Sequence, residues 1–450
     1  MPAQVTAPER LRRLAHRILG ASPSARNLGL ATLSRLVRLA ARLRMGPGAD
    51  GAGRPDPVEV LARTDELNRA AERYYSGYPD TEFILGKPYS EEEHFARRLY
   101  DLGVLFHAVR LSRHDVVLEL GAGTCWVSHF LNLHGCKTIS VDVSETALSL
   151  GRKLFERDSR TRWDAAPEFV LYDGHRIPLP DASCDKIVIN DAFHHFPNPE
   201  EVLRELARLL PEGGILAMSE PGPGHSQTEE SRREVEATGV LENEIVLEEL
   251  DAAARRAGFT EVNLLPVRLS AVREVPVRDL GRAAESRALL DQWLHLHKGP
   301  YYLVLHKGPW VPTTRRPDRL AAGIELLAPR SPLRAAPGRP LAVRVRVANR
   351  GDTRWLATAV ERPGWTRLGA HLYLAAGEGP GELVDPDWLR ASLPGDLGPG
   401  EAASFEVELP PLREPGDYLL VFDLVAEQVT WFAQRGSRTL QVPLRVTATG

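Results

Sequence analysis

The chain has 450 residues, 43% hydrophobic and 26% charged, which is apolar content enough for two or three packed domains. Its net charge of −4 gives no global attraction to nucleic acid or an anionic membrane. The cysteines are Cys125, Cys136 and Cys184; without C-x-x-C spacing they argue against a disulfide framework or a zinc motif and fit a reducing cytoplasm, and no apolar run reaches transmembrane length.

Residues 1–45 carry nine arginines and a single acid, Glu9. In "LATLSRLVRLAARLR", Leu33, Leu36, Val37, Ala40 and Leu43 fall on one arc of a helix, with Arg35, Arg38 and Arg42 opposite. Three readings stay open: a surface helix docked on protein, a helix lying on the inner face of the membrane, or an organelle transit peptide. A secretory signal is excluded, because no compact apolar core precedes a small-residue cleavage site. Residues 46–57, "GPGADGAGRPDP", read as a flexible linker.

From 58 to 310 strands and helices alternate. "DVVLEL" is a strand and "WVSHFLNLHG" a helix; "KTISVDVS" and "ETALSLGRKLFERD" repeat the pair. "PEFVLYD" and "CDKIVIND" are strands, followed by the helix "PEEVLRELARLLPEGG" and the strand "ILAMSEP". "VLEELDAAARRAGF" is a further helix, and "EVNLLPV" and "YYLVLHKG" are late strands around a helical insertion at about 277–297. Such alternation predicts a parallel, doubly wound, Rossmann-like α/β sheet. Residues 311–320 read as a second linker. From 321 to 450 the pattern changes to period two, as in "LAVRVRVANRGDTRW" and "SFEVELP", with Gly and Pro between the strands, which predicts a C-terminal all-β sandwich.

The stretch "VLELGAGTCWVSHF" follows a strand and opens a helix, so its glycines bring free backbone amides close to a ligand. Asp142 ends the next strand, where a carboxylate accepts both ribose hydroxyls. Trp126 stands where a dinucleotide site wants its third glycine, and Glu119 would face a pyrophosphate with like charge. S-adenosylmethionine carries adenine and ribose but no phosphate, and Glu119 suits its ammonium. Nicotinamide-dependent oxidoreduction is disfavoured on both counts.

These residues resemble the class I S-adenosylmethionine-dependent methyltransferases of the methyltransferase-11/25-like group. "VLELGAGTC" is similar to their first motif, "VDVS" to their ribose motif, "YDGHRIPLPDASCD" to their adenine loop, and "INDAFHHFPNPEEVLRELARLLPEGGILAMSEP" to their fourth-strand motif with the turn before strand five. The resemblance covers about 74–308 and implies a seven-stranded sheet with a cofactor site of Glu119, Gly121, Ala122, Gly123, Asp142, Val143, Asp173, Gly174 and Asn190. In such a family the segment "ELNRAAERYYSGYPD" folds over the cofactor, which would place Tyr74, Tyr75 and Tyr78 against the acceptor. No metal is expected.

His194, His195 and Asp191 follow the fourth strand, at the sheet edge where ligands bind, and are the candidates for the base that an oxygen acceptor needs; Glu220 is equally well placed by sequence. The sandwich resembles the Ig-like modules of envelope-glycan enzymes, with Trp355, Tyr418 and Trp431 filling its core or plugging its ends, or one of them stacking on a glycan. The expected activity is therefore methylation of a small molecule, or of a saccharide or glycolipid of the cell envelope, in the cytoplasm and with a protein partner docking on the sandwich. A methyltransferase of secondary metabolism and a non-catalytic module that keeps the cofactor fold are the alternatives. A nucleic-acid acceptor is disfavoured, because "NDAF" replaces the Asn-Pro-Pro-aromatic pattern of amino methylation and no basic stripe with interleaved aromatics occurs.

Overall fold

The computed structural model describes residues 57–265 and 300–447, apart from 79, 317–318, 359–361 and 378. The helix expected within 1–45, the linker at 46–56 and the insertion at 277–297 lie outside the described residues. Two compact units divide at Gly308–Pro309, the second also taking Ser112–Asp115 and His134–Cys136. Among the described residues no helix is long and apolar enough to cross a membrane.

The first unit opens with α1 (Pro57–Ala62), α2 (Thr64–Ser76), α3 (Thr81–Leu85) and α4 (Phe95–Ala108). It continues as β1 (Val116–Leu120), α5 (Trp126–His134), β2 (Lys137–Asp142), α6 (Glu145–Arg157), β3 (Glu168–Leu171), β4 (Lys186–Asn190), α7 (Pro199–Leu209), β5 (Ile215–Glu220), α8 (Glu229–Thr238), α9 (Leu247–Ala257), β6 (Glu261–Leu264) and β7 (Tyr301–His306). The strands form one seven-stranded sheet in the order β3-β2-β1-β4-β5-β7-β6. All pairs are parallel except those of β7, which runs antiparallel to β5 and β6. Every residue of β1 and β5 is buried, as expected of strands covered on both faces. Leu118, Leu120, Ile187, Ile189, Leu216 and Met218 join Leu203 and Leu206 of α7 in the main core. Strand order reverses between β1, whose chain continues to β2 on one side, and β4 on the other. That reversal opens a crevice at the carboxyl ends of the strands, where α/β sheets bind ligands.

The second unit holds two sheets around a shared core. One is β13-β10-β8 and the other β12-β11-β14-β16-β9, with β15 on β14; the strands are β8 (Ala322–Ala328), β9 (Leu333–Ala335), β10 (Leu341–Asn349), β11 (Thr366–Ala376), β12 (Gly379–Ser392), β13 (Ala402–Leu409), β14 (Gly416–Ala426), β15 (Thr430–Trp431) and β16 (Leu440–Val446). Alternating Val343, Val345 and Val347 of β10 point inward. Trp355 is fully buried with its ring edge-on to Phe432, and the buried Tyr418 donates its hydroxyl to the Glu414 carbonyl at 3.1 Å. Trp431 is half-buried, with the Arg390 guanidinium 4.3 Å from its ring centre and the His371 ring beside it. The stretch read as a linker at 311–320 is built into this unit, since Thr313 bridges to Arg354 and both Thr314 and Leu320 are buried.

Candidate functional site

The turn after β1 is shaped by two glycines. Gly121 and Gly123 have φ of 68° and 51°, left-handed values that side chains resist. Space forbids a side chain as well: a Cβ on Gly121 would lie 2.6 Å from the Ala192 Cβ, and one on Gly123 would collide with the Tyr75 hydroxyl. Between them Ala122 is buried and donates its N–H to the Val141 carbonyl at 3.1 Å.

Two carboxylates hold this turn in place. Asp142, ending β2, accepts from the Gly123 N–H at 2.8 Å and from the Ser144 N–H at 2.9 Å. Glu119, inside β1, accepts from the Ser128 N–H at 2.8 Å, in the first turn of α5 where the helix dipole favours an anion. Both are buried. Burial pushes the Glu119 carboxyl up to about 8, with Asp142 adding to the shift, and it raises Asp142 despite the amide bonds. Neither acid has a cationic partner among the described residues.

The missing third glycine has a counterpart elsewhere. Trp126 begins α5 and turns its ring edge-on to Phe130, at 6.1 Å. Cys125, itself left-handed with φ of 58°, packs its Sγ into the space where Gly151 of α6 would carry a Cβ. The close approach of turn and helix is thus supplied by a glycine on a different helix.

α2 covers the turn. Glu72 accepts from the Ser144 hydroxyl at 2.7 Å, from the Thr146 N–H at 3.2 Å and from the Thr146 hydroxyl, so it grips the start of α6. Asn68 fills the space that a Cβ on Gly174 would need. A cleft of about 380 Å³ lies between, lined by Asn68, Glu72, Val143, Leu171, Tyr172 and Asp173 among others. Asp173 uses Oδ1 to accept from the His175 and Arg176 N–H groups, each at 2.8 Å, so it caps its turn while lining the cleft. The three tyrosines expected against the acceptor stay together, with the Tyr74 ring edge-on to Tyr75 at 5.0 Å and beside Tyr78. Tyr75 lies against Gly123 and Asp142, enclosed by protein, and its phenol is raised by burial first and by the Asp142 charge second. Tyr74 and Tyr78 pair at 5.7 Å, and burial followed by the Glu234 carboxylate raises the Tyr74 phenol.

Across the crevice a second carboxylate turn forms. Asn190 ends β4 and pairs with Ser219; Asp191 follows with φ of 56° and donates its N–H to the Ser219 carbonyl at 2.8 Å. Glu220, ending β5 and fully buried, accepts from the N–H groups of Ala192 at 3.2 Å and Phe193 at 2.9 Å. It also meets the His194 Nδ1 at 2.7 Å. These bonds occupy Glu220, so it is a holder of the turn and not the free base that sequence allowed. His195 Nδ1 lies 2.6 Å from the Leu241 carbonyl. A carbonyl only accepts, so Nδ1 carries the proton and the Nε2 lone pair of the half-buried His195 is free. Asp191 keeps open surface although protein surrounds it, as at the floor of a cleft; burial opposes its charge, and the nearby His194 and His195 outweigh that and hold the carboxyl below the usual range.

Sequence reasoning missed two members of this cluster. His225 Nε2 lies 2.8 Å from Glu242 Oε2, and Glu242 is also 3.8 Å from His194 Nε2 and 3.4 Å from His195 Nδ1. One ligand-capable atom from each of His194, His225 and Glu242 lies within 4.8 Å of the others. No local spacing signals a set spread over 194–242. Asn68, Glu72 and Gly151 were missed too; the lone glycine inside an amphipathic helix was the available hint.

Residues 118–218 match the family described as methyltransferase domain. The 27-O-demethylrifamycin SV methyltransferase of Amycolatopsis mediterranei (strain S699) is 31% identical over 126 residues, 26% of this chain and 46% of that protein. The demethylmenaquinone methyltransferase of Clavibacter sepedonicus is 33% identical over 104 residues, 23% of this chain and 40% of that protein. The sarcosine/dimethylglycine N-methyltransferase of Halorhodospira halochloris is 31% identical, over 25% and 39%. The chain thus spans less than half the length of these relatives. Among solved structures, the complex between the Haloferax volcanii Trm112 methyltransferase activator and a putative methyltransferase is 19% identical with a TM-score of 0.36, covering 56% of this chain and 98% of that one.

Two outcomes follow from the packing. An alanine at an exposed helical glycine gains about 1 kcal/mol, but in Gly151→Ala the new methyl meets the Cys125 sulfur, and we expect a net loss of about 1–3 kcal/mol. Adding Cys125→Ala should return most of it. Urea unfolding of the single and double variants decides this, and a stabilised single variant refutes it. Glu119→Gln tests the buried charge. A carboxyl raised in the folded state contributes stability that is present below its ordinary 4.5 and is lost as pH rises toward about 8. The margin of the variant over the ligand-free wild type should therefore widen between those values in thermal unfolding; parallel curves would mean that Glu119 titrates normally.

Proposed function

We propose that the first unit is an S-adenosylmethionine-dependent methyltransferase acting on a small molecule. The observation that carries the reading is the pair of buried carboxylates, Glu119 and Asp142, beside a glycine turn and without a cationic partner among the described residues. A buried unpaired charge is costly, and a ligand that brings a cation and a diol offsets that cost. S-adenosylmethionine brings both: its ammonium suits Glu119, its ribose hydroxyls suit Asp142, and the cleft walled by Val143, Leu171 and Tyr172 suits adenine, with Asp173 at its edge. A pyrophosphate in the same turn would face both acids, which weighs against a dinucleotide.

When bound, the cofactor supplies a methyl group on a positively charged sulfur. The protein's part is alignment and exclusion of water. Tyr75 and α2 cover the turn, and Asp191 and His195 line the crevice on the acceptor side. His195 Nε2, its lone pair free because Nδ1 donates to Leu241, would take the acceptor's proton, while the bound cofactor would supply the methyl group and retain the electron pair. The relatives are named for 27-O-demethylrifamycin SV, demethylmenaquinone and sarcosine/dimethylglycine, so the match selects no single acceptor. A saccharide or glycolipid acceptor is the narrower reading, resting on the sandwich's sequence resemblance to modules of envelope-glycan enzymes. Docking of the acceptor or of a protein partner is the sandwich's proposed part.

Calorimetry should show S-adenosylmethionine binding in the micromolar range, and Asp142→Asn should weaken it by about 1.5–3 kcal/mol, the size of a charge-assisted hydrogen bond. Binding of NAD in place of S-adenosylmethionine would sink the proposal. With methyl-labelled cofactor and a low-molecular-weight extract of the source cells, His195→Ala should slow label transfer about 100-fold while cofactor affinity holds. A loss under tenfold assigns the proton to another group.

A further inference from the structure

The histidines and glutamate beyond β4 and β5 have a geometry that methyl transfer does not require. We infer that His194 Nε2, His225 and the Glu242 carboxylate form a binding site for a divalent first-row transition metal, of which Zn²⁺ is the model.

Glu242 gives the first observation. Its carboxylate is buried, with 8% of the residue exposed, and neither oxygen accepts a well-directed hydrogen bond among the described residues. His225 Nε2 comes within 2.8 Å of it, yet not along an N–H direction. A buried carboxylate surrounded by imidazole nitrogens but bonded to none is poorly satisfied as a hydrogen-bond acceptor and well placed as a ligand.

The orientation of His194 gives the second. Its Nδ1 faces the Glu220 carboxylate at 2.7 Å and so carries a proton. Glu220 is itself fixed by backbone amides. The other ring nitrogen, Nε2, lies 3.8 Å from the Glu242 carboxylate. A proton or a metal ion on Nε2 supplies the positive centre facing that carboxylate, and a metal ion would bind there by displacing the proton. A carboxylate behind a histidine that presents its other nitrogen is the usual support of a metal ligand, fixing both tautomer and ring orientation.

Two histidines and one carboxylate are a ligand set used by catalytic zinc and by non-haem iron. The ligand-capable atoms lie within 4.8 Å of one another, a separation that spans one ion at about 2.0–2.2 Å from each. Ser231 Oγ, 3.2 Å from His225 Nε2, shares that nitrogen with Glu242 and would be displaced by the metal. Three protein ligands leave a coordination position open for an oxygen or nitrogen ligand. The part-exposed His225 places that opening toward solvent.

The test uses the full chain without an affinity tag, stripped with a chelator and titrated with Zn²⁺ and then Co²⁺. One equivalent of either ion should bind, and Co²⁺ should show visible ligand-field absorption. His225→Ala and Glu242→Gln should each lose that equivalent, with circular dichroism confirming the fold; Glu242→Gln keeps the side-chain volume, and His225 is part-exposed, so the two do not share one folding risk. His175→Ala is the control, because His175 also sits beside two carboxylates, Asp65 and Glu201, but at the surface. It should keep the equivalent. No binding by the wild type, or binding that survives both ligand variants, overturns the site and leaves a proton on His194 Nε2 as the positive centre. Cofactor titration plays no part in these readouts, so failure here leaves the methyltransferase reading untouched.

Discussion

Asp142 ties the turn after β1 to the end of β2, and the ligand side of the sheet depends on that tie. Its two oxygens accept the Gly123 and Ser144 N–H groups. One bond fixes a left-handed glycine that would otherwise be among the most mobile positions of the chain. The other fixes the residue that caps α6, where the Ser144 side chain accepts the Ala147 N–H and donates to Glu72 of α2. A single carboxylate therefore sets the turn, the start of the next helix and, through Ser144, the helix that covers both.

The same device recurs across the crevice. Glu119 reaches from β1 to the Ser128 amide, and Glu220 at the end of β5 gathers the amides that follow β4. Parallel strands end together at one edge, and each is followed by a segment whose first N–H groups lack intrahelical partners. An acid at the strand end satisfies those groups and orders the segment. The cost is a negative charge out of water, only partly offset by neutral amides. Three such acids along one edge concentrate that cost in the place where ligands bind.

How much of this was legible in the sequence follows from the range of each interaction. The alternation of strands and helices gave the seven-stranded sheet, since apolar runs and periodicity are local. Gly121, Gly123, Glu119 and Asp142 were legible because a turn between strand and helix demands glycine at a fixed place and the acids flank it at motif spacing. Gly151 was not, because its need arises from Cys125, which approaches it only in the fold. Tyr75 was named from its motif neighbours, but its contact with Gly123 was not legible, since helix periodicity does not say which tyrosine of "RYYSGY" turns inward. Residues 311–320 looked like a linker from Pro and Arg content, yet buried Thr314 and the bridge from Thr313 belong to the second unit, a pairing that composition does not encode. Glu242 and His225 carry no local signal at all.

The two sides of the crevice balance their buried acids differently. Near Glu119 and Asp142 the described surroundings are amides, apolar groups, the Tyr75 phenol and the Glu72 carboxylate, so in the free protein a proton on Glu119 relieves the cost, and in the proposed reading a cationic ligand takes its place. Near Asp191, Glu220 and Glu242 stand three imidazoles, which take up a proton or a metal and supply the charge from within. In the proposed reading the cofactor's ammonium belongs to the first side, where no imidazole stands among the described residues, and a metal ion to the second, where imidazoles and Glu242 are its ligands. On the second side Glu220 is bonded to backbone amides and to His194, whereas Glu242 has imidazoles around it but no well-directed hydrogen bond among the described residues. In the proposed reading that division gives the crevice a direction, with the cofactor's cation on the β1–β2 side and proton movement on the β4–β5 side.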